Sequence, residues 1–171
     1  MYNKLIISAT GLDRKGIVSD ISRIISDFKG NIETSRMVRL GEQFSLLILI
    51  VIKTEKIDSL SKALNEIDKL NFSIFSTKST KNNYNKSFQI FINGADNEGI
   101  VYSFTKYFKN EPINIEEVNT SIENAPMSAS PLFMMHLIVS SDKDLIKNDT
   151  FLDGLNNLAD KLGVGIEIDK Y

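Results

Sequence analysis

The chain has 171 residues, 42% of them hydrophobic, with 20 basic and 22 acidic side chains and a formal net charge of -2, enough for one ordinary domain or two small ones with a real core. Zero cysteines and one histidine exclude a disulfide framework, a thiol nucleophile and a metal site built from thiolates or several imidazoles. The longest apolar run, Leu46 to Ile52, is far shorter than the roughly 20 residues a bilayer span requires, and without a basic-then-apolar leader the expectation is a cytoplasmic protein with no membrane partner.

In chain order, Leu5 to Ala9 reads as a short apolar strand. Gly11 to Gly16 then forms a glycine-flanked turn, after which Ile17, Val18, Ile21, Ile24, Ile25 and Phe28 recur with helical spacing. Lys29-Gly30-Asn31 supplies a glycine stop. The stretch Ile32 to Leu40 reads as a strand with Ile32, Val38 and Leu40 on one side, and Gly41-Glu42 turns it into Phe44 to Ile52, a hairpin signal. A second amphipathic helix carrying Leu60, Leu64 and Ile67 and a closing strand, Phe72 to Phe75, complete a βαββαβ unit.

The same pattern is then written again at an offset of 83. Gly11 returns as Gly94, Leu12 to Val18 returns as Ala95 to Val101, and Asn31-Ile32-Glu33 returns as Asn114-Ile115-Glu116. A strand at Phe88 to Ile92 opens the second copy, Pro112 ends its first helix, and Leu152, Leu155, Leu158 and Leu162 mark its second helix before a closing strand at Val164 to Ile168. Its hairpin carries six more residues, moving the equivalent of Phe44 to Phe133. The predicted organisation is a first domain at 1–80, a linker at 81–86 and a second domain at 87–171. Both are α+β, ferredoxin-like, with antiparallel sheets.

Right-handed crossovers place both helices of each copy on one sheet face. The third strand is nonetheless apolar on both sides: Phe44, Leu46, Ile48 and Ile50 alternate with Leu47, Leu49 and Val51, and Phe133 to Val139 behaves similarly. The face away from the helices therefore needs a cover, from the other half of the chain or from a second molecule.

The turn before the first helix is the candidate ligand site. Unpaired first-turn amides and the positive end of the helix dipole suit a carboxylate, and Gly16 lets a ligand approach that backbone. Arg14 offers a charge-assisted hydrogen bond and Asp13 an acceptor for an ammonium group. The competing structural reading has Asp13 capping the helix and Gly16 allowing close helix-strand packing. Asn31 and Asn114 suit either ligand contact or the left-handed backbone of a helix exit.

Gly-Leu-Asp-Arg-Lys-Gly-Ile-Val at 11–18, Gly-Asn-Ile at 30–32 and Phe44 opening the third strand resemble the ACT domain, a small-molecule-sensing module. The tandem arrangement resembles the glycine cleavage system transcriptional repressor family. That resemblance implies a pair of ACT domains sensing an amino acid, glycine being the leading candidate, and acting as a homodimer on a transcription regulator protein rather than on DNA directly. It implies ligand contacts from Gly11, Leu12, Asp13, Arg14, Gly16 and Ile17, with Asn31 and Ile32 beside them. The weaker equivalents in the second repeat are Gly94, Asp96, Asn97, Gly99, Ile100, Asn114 and Ile115. Neither a cofactor nor a metal is implied.

The two turns differ in charge. Residues 13–16 hold one acid and two bases, whereas 96–99 hold two acids and no base, so the first site is expected to dominate. His136, alternating with Leu132, Met134 and Ile138, reads as a packed or interface histidine, with a pH-sensitive contact as the alternative. Met127, Met134 and Met135 read as gap fillers.

Three rival functions are weighed. No Ser-His-Asp set, P-loop, zinc spacing or acylphosphatase turn is present, so an enzyme is not expected. RNA-recognition modules share the topology, but these third strands are aliphatic and methionine-rich where such modules place base-stacking aromatics. The densest basic cluster, Lys78, Lys81 and Lys86 among asparagines, has the pattern of a solvated linker, so direct binding to nucleic acid is not expected. An ACT-like interaction module that has lost its ligand is the remaining alternative.

Overall fold

A computed structural model describes residues 1–78, 84–124 and 130–171. The chain divides into two compact units, Met1–Lys81 and Asn82–Tyr171. Of the expected linker at 81–86, residues 81–83 lie outside the described residues, and Lys86 already belongs to a strand. The enlarged hairpin of the second repeat, with Met127, also falls largely outside them, at 125–129.

The first unit runs β1 (Tyr2–Leu12), α1 (Ile17–Asp27), β2 (Asn31–Leu40), β3 (Gln43–Lys53), a 3-10 turn (Thr54–Lys56), α2 (Ile57–Asn65) and β4 (Leu70–Thr77). Its antiparallel sheet has the order β2-β3-β1-β4. Alternation puts Leu5, Ile7 and Ala9 of β1 and Phe44, Leu46, Ile48, Ile50 and Ile52 of β3 on one buried face. Ile17, Ile21, Ile24 and Ile25 of α1 and Leu60 and Leu64 of α2 close over that face as one core. Ile67 falls beyond the end of α2 yet packs on the same cluster.

The second unit repeats this plan with β5 (Lys86–Ala95), α3 (Ile100–Lys109), β6 (Ile113–Asn124), β7 (Pro131–Ser141), a 3-10 turn (Leu145–Lys147), α4 (Asp149–Leu162) and β8 (Val164–Lys170). Its sheet order is β6-β7-β5-β8. The core gathers Phe88, Ile90, Ile92, Phe104, Phe108 and Phe151 among others, so it is richer in aromatic rings than the first, whose helices contribute mainly isoleucine and leucine. The expected fold, two ferredoxin-like units with both helices on one sheet face, is the one observed.

Three local expectations need correction. The helix exit after Phe28 uses Lys29, not Gly30, in the left-handed conformation, with φ 61°. Gly30 is needed for a different reason: a Cβ there would come within 2.9 Å of the Ile25 side chain. Asn31 accordingly has no left-handed role, since it is the first residue of β2 and pairs with Val51. Thirdly, Ile32 does not share a side with Val38 and Leu40. A β-bulge between Ile32 and Thr34 inserts Glu33, so Ile32 pairs with core-facing Ile50 while Val38 and Leu40 pair with Ser45 and Gln43 on the opposite face. The second unit repeats the bulge between Ile115 and Glu117. The recurring Asn-Ile-Glu is thus the written form of a strand irregularity.

Candidate ligand-binding site

Strand β1 is longer than its apolar run suggested, so Gly11 and Leu12 are strand residues and the turn proper starts at Asp13. Gly11 pairs with Phe44 on one side and Leu70 on the other, and a Cβ on it would collide with the Lys69 carbonyl oxygen. Gly16 is the N-cap of α1 with φ 85°, and no atom lies within 4 Å of where its Cβ would be. Its missing side chain therefore serves the left-handed backbone and leaves the space beside it open, which corrects the close-packing alternative. Ile17 is buried and anchors the helix start.

No side chain caps α1, so the capping role considered for Asp13 is not realised. Asp13 instead donates its backbone N–H to the Glu42 carbonyl at 2.9 Å and sets its carboxylate 3.8 Å from Arg39. The first α-helical bond runs from the Asp20 N–H to the Gly16 carbonyl, so the Val18 and Ser19 N–H groups have no intrahelical acceptor. Arg14 reaches across this first turn to the Asp20 carboxylate at 2.7 Å. Sequence reasoning missed both Asp20 and Arg39. The first sits in the first helical turn; the second is placed opposite Asp13 by the two-residue hairpin that brings Arg39 level with Phe44 and Gly11.

The structure gathers Asp13, Arg14, Gly16 and Ile17 at one end of the unit, but it does not bring Asn31 and Ile32 beside them. Those two residues pair with Val51 and Ile50, whereas Gly11 pairs with Phe44. Seven residues along β3 separate Phe44 from Val51, about 24 Å at a strand's rise per residue. Helix α1 carries the chain from one end of the sheet to the other, so within a single unit a ligand at the turn meets neither Asn31 nor Ile32.

The second unit matches in backbone and differs in charge. Gly99 is the N-cap of α3 with φ 83°, again with open space beside it, and Ser103 donates its N–H to the Gly99 carbonyl at 2.9 Å. Gly94 is held tight against Val164, and Ile100 is buried. Asp96, Asn97 and Glu98 are exposed and follow Ala95, with no basic side chain among them. Asn114 and Ile115 pair with Ser140 and Val139 near the far end of β7. Asn114 and Ser140 both donate to the bulged Glu116 carboxylate, at 2.7 and 2.6 Å. Those two bonds, the Ser140 one first, hold its pKa below the ordinary value.

His136 lies on the face of this sheet away from the helices. Its ring stacks on Phe91 with centroids 4.4 Å apart and planes 4° from parallel, and its Nε2 is buried without a hydrogen-bond partner. Met135 is core and Met134 sits half-buried beside His136. Among the described residues no group of three or more His, Asp or Glu is placed to hold a metal, and no helix is long and apolar enough to cross a membrane.

Comparison with known proteins bears on the same residues. The ACT domain model matches residues 3–75, the first unit from β1 into β4. The glycine cleavage system transcriptional repressors of Escherichia coli (strain K12) and Shigella flexneri are each 31% identical over 118 residues, 67% of this chain. The match spans 62% of the length of these relatives. A crystal structure of an unknown protein from Galdieria sulphuraria is 26% identical and superposes over 100% of this chain and 99% of its own with a TM-score of 0.88. One assigned to a glycine cleavage system transcriptional repressor, 21% identical with a TM-score of 0.69, shares the two-unit fold. With βαββαβ units repeated from Gly11 and Gly94 onward, this chain carries an ACT domain in its first unit, repeats that fold in its second, and is similar in sequence to the glycine cleavage system transcriptional repressors.

Proposed function

We propose that the chain is an amino-acid-sensing regulator of the glycine cleavage repressor type, binding a small zwitterion, glycine first among candidates, and altering transcription as a homodimer through contact with a regulator protein. What carries the reading is the turn at Asp13 to Ile17. There Gly16 with open space beside it, the Val18 and Ser19 amides without an intrahelical acceptor and Arg14 all belong to the start of α1, within the part of the chain that matches the ACT model. A ligand carboxylate takes the amides and competes with Asp20 for Arg14, while Asp13 accepts from the ammonium. Gly11 and Leu12 end β1 just before the turn. On this reading the chain works without catalysis, its relatives being repressors, and acts in the cytoplasm.

The test is a thermal-stability screen across the amino acids, followed by calorimetry. A true ligand at 100 times its dissociation constant raises stability by about 2.7 kcal/mol. Arg14→Glu abolishes that shift, and Asn97→Ala in the second unit leaves it nearly unchanged. The Arg14–Asp20 and Asp13–Arg39 pairs favour one second reading, an interaction module whose turn is satisfied by its own side chains. A screen silent for every amino acid would establish that reading in place of the first.

A further inference from the structure

Helix α3 shows solvent a stripe that its counterpart in the first unit lacks. Tyr102, Lys106 and Lys109 recur at helical spacing on the side opposite the buried Ile100, Phe104 and Phe108, and Glu98 precedes the N-cap Gly99 at the head of the helix. In the chain as a whole Tyr102 is 66% exposed and Val101 beside it 39%. Compensation of the helix dipole accounts for charges at the two ends. It does not account for an aromatic ring and a valine left in water between them.

The charges of the stripe are ordered, with acid at its head and base toward its tail. The span from Glu98 to Lys109 and the span from Tyr102 to Lys106 are centred on the same point, beside Phe104. With two such helices antiparallel about a two-fold axis there, Glu98 of each copy meets Lys109 of the other and Tyr102 of each meets Lys106 of the other. The second pairing repeats between copies what one copy already does, since Lys106 lies 5.5 Å from the centre of the Tyr102 ring. Among the described residues no ion pair already engages Glu98 or Lys109. The first unit cannot form the contact: at the same offset of 83 it carries Lys15, Ser19, Arg23 and Ser26, two bases with neither acid nor ring.

We propose that α3 is the contact between two copies of the chain, the helices of their second units packing antiparallel about a two-fold axis beside Phe104. This specifies the homodimer of the functional reading, on which it rests, and it uses none of the groups that a ligand at the first turn would engage. A surface whose charges complement themselves on rotation fits a second copy; a different partner imposes no such symmetry. Because each chain carries one such stripe, association closes at the pair and propagates no further.

Sedimentation of the full chain with charge-swapped variants tests this. The wild type sediments as a dimer. Glu98→Lys and Lys109→Glu each set like charges together twice per dimer and raise the dissociation constant about tenfold. Combining both reversals in one chain restores opposite pairs and returns the constant to within about threefold of the wild type, which also demonstrates that neither substitution unfolds the chain. A wild type that stays monomeric at about 100 μM overturns both this contact and the homodimer. A wild-type dimer indifferent to either reversal, or a double variant as weak as the single ones, overturns the contact while the homodimer stands. The amino-acid screen reads the ligand half of the function separately, because it does not depend on association.

Discussion

Arg14 sits between two carboxylates, its own Asp20 at 2.7 Å and the one a zwitterionic ligand would bring. An exposed ion pair of this kind contributes at most about 1 kcal/mol, so it gates the site without closing it. Asp20→Asn should therefore tighten amino-acid binding by up to about fivefold, read by calorimetry; unchanged or weaker affinity would show that Arg14 does not meet the ligand. Glu116 gives a pH test at the same scale. Its pKa lies below the ordinary 4.5 because Ser140 and Asn114 donate to it. Its contribution to stability is therefore fully present above that value and lost as pH falls through the folded one. Glu116→Gln should lower the melting temperature slightly at neutral pH, with the difference from wild type vanishing in strong acid. The effect is small because the group is largely solvated.

Among the elements, α4 shows why propensity alone misleads. Gly154 lies inside this helix, where alanine ordinarily gains about 1 kcal/mol. Here a Cβ would strike the Tyr107 hydroxyl, which donates to the Phe151 carbonyl at 2.8 Å. Gly154→Ala should instead destabilise the protein by about 1 to 2 kcal/mol, since overpacking outweighs the helix gain; a raised melting temperature in calorimetric scans would refute this. The elements themselves were legible because isoleucine spacing in α1 has one periodic reading, while β3, apolar on both sides, was marked by the Gly41-Glu42 turn before it and by its short, β-branched run. The bulge at Glu33 was not, although Asn-Ile-Glu recurred in plain view. Parity along β2 changes at an inserted residue whose side chain resembles any other surface glutamate, and only the pairing with β3 locates the change.

For the whole molecule, duplication is what made the fold readable, since each copy confirmed the other's turns, helices and strands. The site was readable only in part. Asp13, Arg14 and Gly16 are contiguous and stayed together, whereas Asn31 and Ile32 were separated from them by the length of α1, a distance that sequence proximity conceals. Arg39 entered through strand pairing that no local pattern announces, and Asp20 through a first-turn contact with Arg14. The two turns match in backbone, with φ 85° at Gly16 and 83° at Gly99, yet only the first carries bases. Calorimetry should accordingly find one ligand per chain; two equal sites would show that the helix dipole outweighs the side-chain charges.

Strands β2 and β6 lie at the margins of their sheets, with an outer row of backbone groups paired to no neighbouring strand of their own sheet. Such margins recruit foreign strands and seed insoluble polymers. The extra residue in each, Glu33 and Glu116, kinks the margin and leaves a carboxylate on it. Evolution's duplicated irregularity thus doubles as a safeguard, and a chain shortened by those two glutamates would be primed for fibre growth while keeping every core side chain it had.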